Sequence, residues 1–288
     1  MPGKMTVGFL VSYDYPLLFN AIPFVYEQAD LIILALDKNR KTWNGADIEV
    51  GEDFFNWIKQ NDPSNKIRVY EDSFYVPDQT TMECEVRERK MMVEQAGPDN
   101  WYIHLDADEY FVEFDKLVDF LNKRSHLLKN PEKTPIEVCA MHVNVFKRVE
   151  SGMLIVNRAS RTPVATNWPS YRKGRKTGQP KVYTDFLILH ECLSRSYDEL
   201  NQKLTNWGHN VDIDKDKFLA RWSSIDATNY KEEKDLFYMR PASLWPGLQF
   251  VKTDEPKDIA PQLRSLNLVP GKFYLWKKNL GQWFKAKF

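Results

Sequence analysis

The first 105 residues alternate between strand-like runs and helical segments, and this alternation limits the possible folds more than any other feature. The strand-like runs are residues 6–12, 31–36, 66–70 and 101–105. The helical segments are residues 17–29 (interrupted by Pro23), 54–60 and 80–95, the last opened by a capping-box pattern at Thr80 and Glu83. Apolar strands separated by helices are typical of a parallel sheet covered on both faces. We therefore expect an α/β fold with a mainly parallel sheet flanked by helices.

The pattern changes in the second half of the chain. Residues 115–123 and 198–206 have helical patterns, whereas residues 136–149, 153–156 and 187–190 have extended ones. Between them, residues 158–181 are basic, contain Gly and Pro, and are rich in Thr and Ser. Such composition predicts a long loop, and long loops in compact domains are usually functional or disordered. The final third contains five prolines and is predicted to be rich in loops.

Composition excludes some classes of function. The 288 residues contain 40 basic and 40 acidic side chains, so the chain lacks the basic excess typical of nucleic-acid binders. Cys84, Cys139 and Cys192 are far apart and lack zinc-type spacing, which predicts three unpaired thiols in a reducing compartment. No run approaches the ~20 apolar residues that span a bilayer, and no signal peptide is visible. We expect a cytoplasmic protein.

Three carboxylates, Asp106, Asp108 and Glu109, follow the fourth apolar run. In an extended segment, alternation would place Asp106 and Asp108 on the same face. Like charges at the end of a buried strand are unfavourable unless a cation shares them, and Mg²⁺ or Mn²⁺ takes carboxylate and phosphate oxygens. Ser12 and Asp37 also lie at carboxyl ends of strands, the edge where such sheets bind ligands. A surface turn with solvated acids is the alternative.

Two sequence blocks make the chain resemble GT-A fold nucleotide-sugar glycosyltransferases, closest to the family-2-like and family-92-like branch. The first is the helix Glu-Val-Arg-Glu-Arg-Lys (85–90) followed by Trp-Tyr-Ile-His-Leu-Asp-Ala-Asp-Glu-Tyr-Phe (101–111). The second is His190, then Arg195-Ser196, then Glu199 and Lys203. The resemblance covers about half of the chain. It implies a Rossmann-like nucleotide-sugar-binding half (1–112), an acceptor-side half of the same catalytic domain (113–270) and a tail (271–288).

The resemblance also implies roles for particular residues. Asp108 would ligate Mn²⁺ or Mg²⁺, with His190 as a further ligand and Asp106 bound through water or to the ribose. Further candidates for nucleotide-sugar binding are Ser12, Asp37, Arg87, Arg195, Ser196 and Lys203. Each has a plainer alternative: His190 could be structural, Asp37 could simply end a strand, and the 195–203 segment could be a solvated helix. The turn at Asp37 also differs from the usual acidic, Ser-containing stretch of family 2.

The implied function is transfer of a hexose from a nucleotide-sugar, for which a UDP-sugar is expected, to a saccharide or lipid-linked acceptor in polysaccharide or glycoconjugate synthesis. An inverting reaction needs a carboxylate base. Asp185 is the first candidate for this base and Glu191 the second, and inversion is implied by the family alone, so retention stays open. The alternatives are a nucleotidyltransferase, although the loop at residues 12–16 lacks the glycines usual in that class, and a non-catalytic carbohydrate- or nucleotide-binding protein.

The tail has apolar residues at helical spacing and five lysines. A basic amphipathic helix with Trp and Phe suits a membrane interface, so one expectation is peripheral contact with the inner face of a membrane. The alternative is a terminal helix docked on the protein's own domain. Gly281 weakens the helical pattern.

Overall fold

The computed structural model describes residues 3–206, 214–239, 241–252 and 259–287. Its strands are β1 Lys4–Val11, β2 Leu31–Asp37, β3 Ile67–Asp72, β4 Asn100–Leu105, β5 Glu109–Tyr110, β6 Glu137–Val149, β7 Gly152–Val156, β8 Ser160–Thr166, β9 Lys181–His190 and β10 Leu248–Val251. Its α-helices are α1 Leu18–Ala21, α2 Glu52–Asn61, α3 Thr81–Ala96, α4 Phe114–Asn122, α5 Tyr197–Asn206, α6 Lys215–Ser224, α7 Ile259–Ser265 and α8 Lys272–Lys287.

The first four long strands form the expected parallel sheet in the order β3-β2-β1-β4. Both faces of its central strands are buried, which explains why their sequences are apolar throughout. On β2, Ile32 and Leu34 belong to the main hydrophobic core, whereas Ile33 and Ala35 belong to a smaller cluster on the opposite face. Met92 of α3 packs in that smaller cluster. The α/β architecture is confirmed for this half.

The second half makes the sheet mixed, so the expectation of a mainly parallel sheet was correct only for the first half. β8 pairs antiparallel with β4, and β6, β7 and β10 continue the sheet by antiparallel pairing. β9 lies parallel to β6 and also pairs antiparallel with the short β5. Because β4 and β8 are hydrogen-bonded, one sheet runs through both halves of the chain.

β8 corrects the prediction of a long loop over residues 158–181. Its sequence, Ser-Arg-Thr-Pro-Val-Ala-Thr, contains a proline that argues against a strand, because proline cannot donate a backbone hydrogen bond. Pro163 lies opposite Cys139 where the β6–β8 register shifts, and such an irregularity is a position that tolerates proline. β9 likewise begins at Lys181, six residues before the predicted start of that strand.

The predicted helix over residues 17–29 is wrong. The chain forms three short helical segments instead, Tyr15–Leu17, Leu18–Ala21 and Ile22–Phe24. Pro16 and Pro23 stand in the first turns of the two 3₁₀ segments, where a missing backbone N–H is tolerated. The apolar side chains of this stretch still pack on the main core. The periodicity therefore predicted the buried residues correctly but overestimated the length of the helix.

A second hydrophobic core lies under α5, α6, β7 and β10 and includes Leu200, Trp222 and Leu248. The predicted terminal helix is present as α8, and it contacts β9. All three cysteines are buried and unpaired. Across the described ranges, no helix combines the length and apolar character that crossing a membrane requires.

Candidate diphosphate-binding site

Of the three carboxylates after β4, Asp106 and Asp108 lie in a turn and not in an extended segment. β4 ends at Leu105, and the backbone N–H of Glu109 donates to the carbonyl oxygen of Asp106 (3.0 Å), which closes a turn. The strand alternation from which we expected Asp106 and Asp108 to share a face therefore does not apply here, because alternation requires extended backbone. Each of the three acids meets a different set of basic side chains.

Asp108 lies at the centre of the site. Its Oδ2 accepts hydrogen bonds from Arg195 Nη2 (2.9 Å) and Lys203 Nζ (2.7 Å), and its Oδ1 lies 3.5 Å from His190 Nε2. Arg195 also reaches Asp14 Oδ2 at 3.2 Å. Asp108 is 4% exposed, so its charge is compensated inside the protein and not by water. We call Asp108, His190, Arg195 and Lys203 the Asp108 cluster.

Electrostatics in the Asp108 cluster favours the charged form of each partner. Burial by itself would raise the pKa of Asp108, but Lys203, His190 and Arg195 together hold it well below its usual range. Burial likewise would lower the pKa of His190, whereas Cys192 and Asp108 raise it to about 9. His190 Nδ1 lies 2.7 Å from Asn144 Oδ1, which fixes the ring. With His190 protonated at neutral pH, Asp108 faces three cationic groups.

Two of the three cations in the Asp108 cluster, Arg195 and Lys203, are positioned by α5. Ser196 Oγ accepts from the backbone N–H of Glu199 (3.3 Å), and Glu199 Oε2 accepts from the backbone N–H of Ser196 (2.8 Å). This is a reciprocal capping box, so Ser196 has a structural role here. Arg195 precedes the cap and Lys203 lies two turns along the helix, and both reach one carboxylate oxygen of Asp108.

Glu109 is fully buried and forms a second cluster with Arg175 and His142. Arg175 Nη1 donates to its Oε2 (2.6 Å), Arg175 Nη2 donates to its Oε1, and His142 Nε2 lies 2.7 Å from Oε1. Arg175 also donates to the backbone carbonyl of His104 (3.0 Å). Arg175 therefore ties the segment before β9 to the end of β4. The stacked rings of His142 and His190, 4.8 Å apart, connect this cluster to the Asp108 cluster.

Asp106 is the most accessible acid of the motif, with 42% of its side chain exposed. Arg89 Nη2 donates to its Oδ1 (2.9 Å), and Arg175 Nη2 lies 3.9 Å from its Oδ2. Arg89 is itself buried on α3 and also pairs with Glu85 one turn earlier. Asp106 therefore presents a partly free carboxylate to solvent beside the buried Asp108.

Asp37, one of the sequence candidates for nucleotide binding, has a structural role in the geometry. It is 4% exposed, and its two oxygens accept backbone hydrogen bonds from Asn39 and Lys41 on one side and from Phe74 and Tyr75 on the other. These four bonds use the acceptor sites of a carboxylate. Of the two roles that the sequence left open, the structure supports the strand-ending one.

Of the two base candidates, Asp185 lies within β9 and Glu191 directly follows that strand. Asp185 precedes His190 by five residues, roughly 16 Å in a strand, and its Oδ2 accepts from Arg264 Nη1 at 3.0 Å. Glu191 adjoins the site, because its backbone N–H donates to the Asp108 carbonyl (2.8 Å). The Glu191 side chain is 2% exposed and pairs with Arg148. Glu191 is thus the nearer of the two.

Arg87 and Ser12 have surroundings different from those of the Asp108 cluster. Arg87 lines a surface cavity of about 450 Å³ on the outer side of α3, together with Lys90 and Arg172. Ser12 lies at the end of β1, where its carbonyl oxygen accepts from the backbone N–H of Tyr15 (3.0 Å). The structure thus groups Asp106, Asp108, His190, Arg195 and Lys203 at one edge and places Arg87 elsewhere.

The site candidates drawn from the sequence left out four residues of this edge: Asp14, Arg89, His142 and Arg175. Arg89 carried a detectable signal, since Glu85 and Arg89 are spaced as an i,i+4 ion pair. Asp14 also stood at the end of β1. Arg175 and His142 carried none, because one lay in a predicted loop and the other in the middle of an extended run. Both residues contact Glu109, which is far from them in the sequence, so no local pattern indicated their place at this edge.

The donor set determines which kind of metal the site could hold. Within the described residues, no three His, Cys, Asp or Glu side chains are grouped as metal ligands. Asp108 and His190 supply two donors, which is too few for a cage built from protein alone. Mg²⁺-type sites commonly combine one or two carboxylates with substrate phosphates. The residues therefore fit a metal that binds together with a diphosphate.

The sequence matches no protein-family model and no curated protein. The resemblance to GT-A glycosyltransferases therefore stays a prediction from the two sequence blocks at residues 85–111 and 190–203. The α/β architecture with a mixed sheet is what the structure itself establishes.

Proposed function

We propose that this chain is a glycosyltransferase that moves a hexose from a nucleotide-sugar to a saccharide or lipid-linked acceptor, with the Asp108 cluster as its diphosphate site. The observation that carries the proposal is the convergence of Arg195, Lys203 and His190 on one buried carboxylate beyond the carboxyl ends of β1 and β4. Cations at that edge suit an anionic ligand in a sheet of this kind. The resemblance of the two sequence blocks supports the same site.

The Asp108 cluster supports a definite binding sequence. A diphosphate is a stronger hydrogen-bond acceptor for Arg195 and Lys203 than a single shared carboxylate oxygen is, because it offers several charged oxygens. Once these cations turn to the phosphates, Asp108 loses the charges that compensate it. Asp108 and His190 would then hold the Mn²⁺ or Mg²⁺ that accompanies the diphosphate, with His190 deprotonated. The metal would supply charge stabilisation for the leaving diphosphate.

The protein's own residues contribute to the departure of the nucleoside diphosphate as well. Arg195 and Lys203 place fixed positive charge where negative charge accumulates on the leaving phosphate oxygens. Asp106, partly exposed and held by Arg89, is available to a ribose hydroxyl or a metal-bound water. Glu191 adjoins the Asp108 cluster and is the nearer base candidate. Asp185 lies five residues before His190 in β9 and is therefore more distant. Inversion, the stereochemical course implied by the resemblance, stays part of the proposal.

The decisive measurement is a thermal-shift titration with Mn²⁺ alone, UDP alone and both together. Because Asp108 is neutralised until a diphosphate takes its cations, we expect little shift with Mn²⁺ alone and a larger shift with the pair than the sum of the two. Other nucleoside diphosphates in the same assay would identify the base. Asp108→Asn should abolish the extra shift, whereas Asp115→Asn on the exposed start of α4 should leave it intact.

Donor turnover separates the proposal from its two alternatives. A glycosyltransferase is expected to hydrolyse its nucleotide-sugar slowly in Mn²⁺ without acceptor, releasing the nucleoside diphosphate and free sugar. A nucleotidyltransferase would release pyrophosphate from a nucleoside triphosphate and a sugar phosphate. A binding protein would show the thermal shift without turnover. The proposal fails if Mn²⁺ and the whole panel of nucleoside diphosphates produce no shift.

A further inference from the structure

Helix α8 has two unlike faces, and one of them attaches it to the sheet. Leu275 is buried, Asn279 Oδ1 accepts from the backbone N–H of Tyr183 (2.7 Å), and Asn279 Nδ2 donates to the Tyr183 carbonyl (2.9 Å). Gln282 Oε1 also accepts from the backbone N–H of Lys181 at 3.4 Å. Positions 275, 279 and 282 follow i, i+4, i+7 spacing, so they form one helical stripe. This stripe docks α8 along the first residues of β9.

A second face of α8 is aromatic and exposed. Its large apolar side chains are Phe273, Trp276, Leu280, Trp283 and Phe284, exposed by 77%, 60%, 38%, 49% and 49%. Their spacing places them on a second stripe, which points away from the docking stripe. Phe273 stacks on Trp276, and Trp283 contacts Phe284 edge-on, so the rings form two pairs with the exposed Leu280 between them in the sequence. Exposed patches of this kind mark interaction sites.

Charge identifies the kind of partner. Residues 272–288 contain five lysines and no acidic residue. Lys272 and Lys277 are exposed on the helix and flank the aromatic stripe, whereas Lys278 is exposed on the opposite side of the helix. A symmetric dimer through this face would bring the same lysines together, because a two-fold interface pairs a patch with itself. Like charges in contact disfavour that arrangement. An anionic surface removes the repulsion and accepts the aromatic rings at the same time.

We propose that α8 is a membrane-surface helix that binds bilayers containing anionic lipids. Aromatic side chains would enter the boundary between headgroups and acyl chains, while the lysines contact lipid phosphates. Docking through Leu275, Asn279 and Gln282 holds the helix in place before the membrane is met, so little ordering is required on binding. This inference is independent of the proposed catalytic function, because it uses none of the residues of the Asp108 cluster.

Vesicle flotation of the full chain tests the proposal. We expect the protein to float with phosphatidylcholine vesicles that contain phosphatidylglycerol, and to float weakly with pure phosphatidylcholine. Raising the salt concentration should release it, because the attraction to lysines is screened. Replacing both Trp276 and Trp283 by Ser should lower the partition coefficient by at least about tenfold, since each change removes a large apolar area that the membrane would bury. Lys277→Gln should weaken binding by about fivefold.

Matched controls separate membrane binding from damage to the fold. Trp168 is a comparably exposed Trp (40%) away from α8, and Trp168→Ser should float like the parent. All variants are compared for melting temperature, so that a misfolded protein is recognised. Failure of the parent to float with anionic vesicles would overturn the proposal. So would undiminished flotation of the Trp276/Trp283 variant, or a solution dimer of the parent that this variant dissociates.

Discussion

At the scale of single residues, the chain buries ionisable groups both at the candidate site and away from it. Glu88 on α3 is the clearest case outside the site. It is 4% exposed, its Oε2 accepts from Trp43 Nε1 (2.6 Å), and burial is the main reason that its pKa is raised to about 8. Glu88 is therefore neutral in the folded protein at pH 7 and charged in the unfolded chain.

This raised pKa predicts a pH-dependent stability. The contribution of Glu88 is fully present below its ordinary pKa of 4.5 and is lost as pH rises through about 8. Glu88→Gln keeps the shape and the acceptor for Trp43 but cannot ionise. We expect the variant to stay close to the parent near pH 5 and to exceed it at pH 9 by on the order of 4 kcal/mol in unfolding free energy. Urea unfolding at the two pH values measures this.

The result would be contradicted by a stability difference between Glu88→Gln and the parent that does not change with pH. Glu83→Gln on the same helix serves as the control, because Glu83 is an exposed capping residue whose pKa is lowered by hydrogen bonds from Thr80. We expect Glu83→Gln to lower the unfolding free energy mainly above pH 5, where Glu83 is charged and caps the helix. This dependence on pH is opposite in direction to that of Glu88.

At the scale of elements, glycine decides whether two strands can approach. Gly152 opens β7 with φ of +154°, and a Cβ at this position would lie 2.0 Å from the carbonyl oxygen of Val251 on β10. Gly152→Ala is expected to lower the unfolding free energy by roughly 2–4 kcal/mol, because backbone must move. A Cβ added to Gly281 in α8 would meet nothing within 4 Å, so Gly281→Ala should stabilise by about 0.5–1 kcal/mol.

Thermal or urea unfolding of the two glycine variants, side by side, provides the measurement. Equal effects of the two substitutions would show that helix and strand propensities, and not the β7–β10 approach, govern the result. The comparison also reports on α8, since a stabilising Gly281→Ala requires that residues 272–287 are helical in solution.

The elements also show how far sequence alone could reach. Runs such as residues 31–36 were predictable because both faces of β2 are buried, which leaves a continuous apolar signal. β8 was not, because Pro163 and polar residues disguise a strand whose place in the sheet depends on pairing with β4 and β6. The candidate site also had a part with a local sequence signal and a part without one. Asp108, His190, Arg195 and Lys203 were found by motif, whereas the Arg175–Glu109 pair spans 66 residues and left no local pattern.

At the scale of the whole molecule, the two halves of the chain share one sheet and one main core. β4 pairs with β8, and the core combines Ile103 from the first half with Val138, Val164 and Leu187 from the second. We therefore expect a single cooperative unfolding transition in urea, with tryptophan fluorescence and far-ultraviolet circular dichroism giving coincident curves. Two separated transitions would show instead that the second core, around Trp222, unfolds independently.

The long-range pairing of the acids has a consequence during synthesis on the ribosome. Asp108 and Glu109 are translated early, but Arg175 follows Glu109 by 66 residues and Lys203 follows Asp108 by 95. At the usual rates of translation, Lys203 is therefore synthesised roughly 5–20 seconds after Asp108. Burying these carboxylates before then would be strongly unfavourable. The nascent chain can thus form β1 to β4 early, but this edge must stay open to water until α5 has been made.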